Sequence, residues 1–351
     1  MTIIDTSKDG MRKQYNSCFD FIKGCACICV VFMHCEFPGV FGTAIQAVSR
    51  FCVPFFFMIS GYYSYYGLDE GKQYDGRRKI THIAKITAFA TLFYLFVTIV
   101  LHLISGRSLS LPPHSDIVNW LVFNRPVTLI SGHLWFLFAL LYDYILFSLA
   151  YRLRIVTAVI CTVPILILAY IVLAQGAHLA GVKIPNMIYR NFLIEGLPLF
   201  MSGYWLHQNS AKVIAKCSDG WLLFLLCVLT AACLLERMFF GRDFGVNIAT
   251  FPQLACLFIL GMKHSGKFAR SALGWIGKRL SMLVYVLHIF VWRSLVNRIY
   301  SFIHVSQNSF ALYLKPIVVL AATIVFSYAI VFCMDRFGQR MSKIQETAGK
   351  S

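Results

Sequence analysis

Charged residues are scarce in this sequence of 351 residues. They make up 13% of it, against about 25% in soluble domains, while 58% is hydrophobic. No long polar stretch leaves room for a separate soluble domain. Acidic residues are scarcest: 15 Asp and Glu face 32 Lys and Arg, a net charge of +17. Nucleic acid is nevertheless excluded as a partner, because the basic residues sit where membrane topology would put them. Cysteine is plentiful, at twelve, but the spacings that make it chemical are missing. There is no CxxC pair and no Cys/His zinc pattern. Most cysteines lie in apolar runs, where the thiol acts as a small apolar group. Cys25, Cys27 and Cys29 point in different directions around a helix, so no metal site is expected. A Walker sequence, a Gly-rich phosphate loop, a dinucleotide fingerprint and a Gly-x-Ser-x-Gly elbow are also missing. Tandem repeats and lipidation signatures are not seen, and no cleavable signal peptide is expected.

What the sequence does contain is a succession of apolar windows near the 20 residues a bilayer needs. Ten spans are predicted, at 17–36, 43–66, 82–104, 131–151, 155–174, 189–207, 221–238, 247–262, 280–297 and 313–334. The expected fold is all-α, a polytopic membrane protein with about ten transmembrane helices. Residues 1–16 would form an N-terminal cytoplasmic segment, 17–336 the transmembrane domain and 337–351 a polar cytoplasmic tail. Most basic residues fall at the two ends and in alternate loops, among them Lys8, Arg12, Lys13, Lys72, Arg77, Arg78, Lys79, Lys85, Lys278 and Arg279. By the positive-inside rule both termini are cytoplasmic.

Within the first span, FDFIKGCACICVVFMHCEF (19–37), Asp20, Lys23 and His34 stand where lipid would be. A charge at that depth costs about 3 kcal/mol on insertion scales, so it usually faces a protein interior or a water-filled cavity. Lys23 and His34 are almost three whole turns apart. Both therefore lie on one helix face, roughly 16 Å apart along the axis. Further polar residues occupy other spans: Arg50, Ser60, His133, Asp143, Glu195 and His288. Pro54 is expected to interrupt the second span. Ser60, in an S-G-Y setting, reads as a close-packing site rather than a nucleophile. Arg50 and Glu195 are at depths that allow a structural ion pair. Residues 116–123, within the outer stretch 105–130, are expected to form a short interfacial helix. Arg237, Arg242 and Asp243 mark an outer loop to which the sequence assigns no role.

Several of these stretches together resemble the acyltransferase-3 family of integral membrane acyltransferases. The first is a basic residue, ten residues and a His in the first span, here Lys23 and His34, where the family usually has Arg. R-F-C-V-P-F-F-F-M-I-S-G-Y at 50–62 is similar to the family's second-helix motif. H-L-W-F-L at 133–137, F-M-S-G-Y at 200–204 and Ser281…Tyr285-x-x-His288 also resemble family patterns. The family's usual pair of arginines three apart after the second helix is degenerate here, since Thr81 follows Arg78.

The resemblance implies a stand-alone membrane O-acyltransferase. Its donor would be an acyl-CoA, by family default acetyl-CoA, and its acceptor a hydroxyl of a cell-surface glycan. The setting would be a cell membrane, a bacterial inner or plasma membrane, with the lipid bilayer as the other partner. His34 would act as catalytic base, with Lys23, Arg50 and His133 assisting. Lys23, Ser60, Arg77, Arg78 and Lys79 would hold the donor, although the basic cluster is equally readable as a topology determinant. Glu36, Trp135, Glu195 and His288 would bind substrate. General-base catalysis and an acyl-histidine intermediate are both open. The alternative from another class is a small-molecule transporter or exporter of the same membrane fold. An assembly factor without chemistry leaves Lys23 and His34 unexplained.

Overall fold

A computed structural model describes residues 16–65, 74, 76–106, 108, 111–127, 131–304 and 310–348. The N-terminal segment up to residue 15, with Lys8, Arg12 and Lys13, lies outside the described residues, and so does Lys72. The described residues contain helices and no strand.

The first long helix, α1 (Ser17–His34), starts where Asn16 caps it: the Asn16 Oδ1 accepts from Phe19 N at 2.9 Å. The same side chain donates from Nδ2 to the Gly261 carbonyl at 3.0 Å, tying the start of α1 to a helix far along the chain. The second predicted span is broken. It runs as α2 (Gly39–Val48), a 3-10 turn (Ser49–Phe51) and α3 (Cys52–Tyr62). Pro54 is the physical cause, because it has no N–H and its ring crowds the carbonyl of Arg50 four residues earlier. The break leaves Arg50 on a turn.

Next come α4 (Arg77–Ser105), the short α5 (His114–Phe123), α6 (Trp135–Arg152) and α7 (Val156–Ile171). Helix α5 begins directly after Pro112-Pro113 and covers the predicted 116–123. A π turn, Phe192–Gly196, leads into α8 (Leu197–Gln208). The main helices that follow are α9 (Asp219–Phe240), α10 (Thr250–Lys263), α11 (Ala272–Arg279), α12 (Ser281–Phe290) and α13 (Phe310–Ala348). Beyond Phe337, where the predicted tail begins, α13 continues as helix to Ala348.

Among the described residues, eight helices are long and apolar enough to cross a membrane: Ser17–His34, Gly39–Tyr62, Arg77–Ser105, Gly132–Arg152, Val156–Leu179, Asp219–Phe240, Ser281–Phe302 and Phe310–Phe337. This is a multi-pass membrane protein. The two other predicted spans fall on shorter helices, α8 and the 14-residue α10.

Glycines set the closest helix approaches. A Cβ on Gly61 would stand 1.7 Å from the Phe200 carbonyl oxygen, and one on Gly203 would stand 1.9 Å from that of Met58. Both glycines belong to an S-G-Y triplet, one on α3 and one on α8, so the two triplets bring these helices backbone to backbone. Gly24 and Gly277 do the same for α1 and α11, with Cβ positions 2.0 Å and 1.9 Å from the carbonyls of Leu273 and Asp20. The centre is aromatic: Phe19, Phe55, Phe57, Phe147, Phe200 and Phe258 are fully buried. Phe89, Leu92 and Phe96 of α4 project outward instead.

Candidate functional site

The polar residues gather at the two ends of α1. At the His34 end lies a cavity of about 300 Å³, lined by His34, Arg50, His133, Trp135, Arg190 and Glu195, among others. Among the described residues, His34 makes no hydrogen bond, so its ring is available to the cavity. The rings of His34 and His288 are 5.0 Å apart, those of His133 and His288 also 5.0 Å, and those of His34 and His133 6.4 Å. Three histidines from α1, the approach to α6 and α12 therefore form one cluster. The His288 Nδ1 faces the carbonyls of Tyr285 at 2.7 Å and Val284 at 3.1 Å. Carbonyls only accept, so Nδ1 carries the proton and Nε2 keeps its lone pair. His133 is held by Ser131 Oγ at 2.7 Å from Nδ1, and its carbonyl accepts from the Tyr285 hydroxyl.

Two ion pairs flank the cluster, and neither is the one the sequence suggested. Arg50 pairs with Asp243, and Glu195 with Arg190 at 3.7 Å. The expected Arg50–Glu195 pair is replaced because the 241–249 loop folds back over the cavity. Tyr170 fastens that loop, donating to the Phe244 carbonyl at 2.8 Å and accepting from Val246 N at 3.0 Å. Asp243 thereby gains the role its sequence did not suggest. Arg190 was also missed; the one available signal is a basic residue five positions before a carboxylate at the edge of a predicted span. Its guanidinium lies over the Trp135 ring, 5.1 Å from the centroid. Neither Arg190 Nε nor Glu195 Oε2 has a hydrogen-bond partner among the described residues. Asn191 shapes the π turn that carries Glu195, accepting from Leu193 N at 2.9 Å and Ile194 N at 3.0 Å.

Lys23 marks the other end. It pairs with Asp20 at 2.5 Å and lines a second cavity, about 480 Å³, with Ser60, Lys79, His82, Tyr144 and Lys278. Lys79 donates to the Tyr63 carbonyl at 2.5 Å and to Ser64 Oγ at 2.7 Å, closing the end of α3. The Ser60 hydroxyl donates to the Phe56 carbonyl at 2.8 Å, a bond within its own helix. A neighbouring pocket of about 400 Å³ holds Arg77, Arg78, Thr81 and Lys85 and shares His82 with the Lys23 cavity.

The fold thus sorts the selected residues into two groups. Lys23, Ser60, Arg77, Arg78 and Lys79 meet at one end; His34, Arg50, His133, Trp135, Glu195 and His288 meet at the other. Glu36 joins neither. It is exposed beyond α1 and accepts from Gln46 Nε2 at 2.7 Å. Between the two ends α1 buries Ala26, Cys27 and Val30, and the two cavities share no lining residue. A third, larger groove of about 770 Å³ does meet the His34 cavity, at Gly132, Trp135 and Arg190. Among the described residues, no group of three or more His, Cys, Asp or Glu side chains is arranged to hold a metal ion.

Comparison with known proteins gives one positive finding. Residues 16–336 match the family model described as an acyltransferase domain. No curated protein and no solved structure matches the chain.

Proposed function

The chain belongs to the acyltransferase-3 family of membrane acyltransferases, and from that premise we propose that it moves an acetyl group from cytoplasmic acetyl-CoA to a hydroxyl of a glycan on the opposite side of the membrane. The observation that carries the reading is the polarity of α1. One end holds Lys23 beside a basic cavity, and the other holds His34 in a cluster of histidines and arginines. The His34 end is read as outward-facing, with both termini in the cytoplasm.

Arg77 and Arg78 open α4, at the positive end of its dipole. A cationic helix N-terminus favours an anion, and the phosphates of CoA supply one. Lys23, Lys79 and Lys278 extend the positive surface inward. The pantetheine arm then runs toward His34. The layer of Ala26, Cys27 and Val30 has to part for it, so the two cavities join as the donor binds.

Neutral imidazole suits a base at physiological pH. His34 takes the acceptor hydroxyl proton as the oxygen bonds to the thioester carbon. The carbonyl electron pair collects on oxygen, where Arg50 or His133 stabilises it. Collapse breaks the C–S bond, and the CoA thiolate takes the proton from His34. Glu195 keeps Arg190 in place, and the His288 ring packs against His34 at 5.0 Å between centroids.

The test is release of free CoA from acetyl-CoA by the protein in lipid nanodiscs, with and without a pool of cell-surface glycans. General-base loss lowers rates by about 10²–10⁴-fold, so His34→Ala should lower glycan-dependent release by that factor. A His34→Ala variant with full glycan-dependent release sinks the assignment. Absence of both acetyl-CoA binding and CoA release with every glycan fraction points to transport instead, since a transporter has no reason to hold acetyl-CoA.

A further inference from the structure

The groove that joins the His34 cavity has a charge pattern of its own. Its volume, about 770 Å³, lies within the range of small-molecule sites. Helix α4 gives one wall, the residues before α6 another, and the turn after α12 a third. Three arginines and one carboxylate line it: Arg125, Arg190, Arg293 and Asp116. Arg190 is matched by Glu195. Among the described residues, Arg125 and Arg293 have no carboxylate partner. Among the described residues Arg125 reaches only the Met187 sulfur, at 3.9 Å, and Arg293 lies over the Trp292 ring at 5.2 Å.

The backbone presents Arg293 by a specific device. The Tyr94 hydroxyl donates to the Val286 carbonyl at 2.7 Å and accepts from Phe290 N at 3.2 Å. These two backbone groups are helix ladder partners, so the hydroxyl bridges the ladder just before it widens. The following residues, Val291–Val296, form a π turn, a local expansion often found at functional sites. Tyr94 and Arg293 both line the groove. Arg125 sits just after Asn124, whose amide donates to the Trp135 carbonyl at 3.2 Å and whose Oδ1 accepts from Phe192 N at 2.8 Å. Both cations are thus carried on braced backbone.

An arginine fork matches phosphate and carboxylate oxygens in pairs. We propose that this groove is an acceptor subsite for an anionic glycan, one whose phosphate or carboxylate is held by Arg125 and Arg293 while its hydroxyl reaches His34 past Gly132. Gly132 fits that passage, since a Cβ there would meet nothing within 4 Å. The word acceptor rests on the proposed function; the anion selectivity rests on the groove alone. The charge has two sources, a phosphate of a lipid-linked sugar or the acid group of a free sugar.

The experiment measures binding to the full chain in zwitterionic nanodiscs. The soluble probes are glucose 1-phosphate, glucuronate and methyl glucoside, and a polyprenyl-phosphate glucose is added through the bilayer. The charged probes should bind at least tenfold tighter than methyl glucoside, with an affinity that falls as salt rises. An R125Q/R293Q variant should erase the preference, and R125K/R293K should retain part of it. Preference confined to the polyprenyl probe assigns the charge to a lipid carrier; preference among the soluble probes assigns it to the sugar. Equal binding of neutral and charged sugars, binding of none, or a preference that survives R125Q/R293Q overturns the proposal. His34→Ala separates the two ideas. A lost preference with His34-dependent CoA release intact removes the subsite only, and a retained preference with His34-independent release removes the mechanism only.

Discussion

Cutting the Arg50–Asp243 pair from its two sides should have unequal consequences. The Arg50 side chain is 10% exposed and that of Asp243 is 31% exposed. Asp243→Ala strands a guanidinium nearly out of water, with no carboxylate against it. Stranding one member of a buried pair costs about 3–5 kcal/mol. The same change removes the Asp243 Oδ1 bond from Gly245 N at 2.9 Å, worth about 1 kcal/mol. Arg50→Ala leaves a carboxylate that water can reach, a loss nearer about 1 kcal/mol. The double variant should be less damaging than the sum, with a coupling between about 0.5 and 3 kcal/mol. Thermal unfolding in nanodiscs reads the stability order, with Asp243→Ala the worst. Transfer measured on the folded fraction should show the reverse order, because Asp243→Ala keeps Arg50 and Arg50→Ala does not. Loss of one oxyanion donor lowers rates by about 10²–10³-fold. Equal destabilisation by the two single variants, or strict additivity, refutes the desolvation argument. A retained rate in Arg50→Ala refutes its catalytic part.

Two further outcomes follow from the packing. Gly203→Ala places a Cβ 1.9 Å from the Met58 carbonyl oxygen. It should destabilise by at least the roughly 1–3 kcal/mol typical of overpacking and cost much more than Gly220→Ala, where a Cβ meets nothing within 4 Å; equal melting points for the two would contradict the close approach. Val30 is 2% exposed and lines the His34 cavity. Val30→Phe should block the donor's approach and lower transfer at least tenfold, whereas Val30→Ala should leave it open. Acetyl-CoA transfer rates compared between these two variants decide the point, and unchanged transfer in Val30→Phe would show that the thioester arrives by another route.

The elements that the sequence revealed are those governed by short-range physics. Apolar windows of bilayer length mark the eight long helices. Helical periodicity alone puts Lys23 and His34 on one face of α1, and the structure gives each a cavity. Pro54 announces the break in the second span, and the S-G-Y triplet announces the close approach of α3. The ion pairs were not legible. Arg50 finds Asp243 across 193 residues, and Glu195 finds a partner on an irregular stretch before its own π turn. Neither distance is encoded in any local period.

By itself, then, the sequence determined that the chain is a multi-pass bundle of apolar helices, which residues break or pack those helices, and that Lys23 and His34 share one face of α1. Each of these depends on groups within a few residues of one another. Only the tertiary structure decided that His34, His133 and His288 share one cluster, that Asp243 returns over it, and that a basic groove opens beside it. Those features arise where separate helices and a folded-back loop meet, and their spacing depends on packing that no single segment contains.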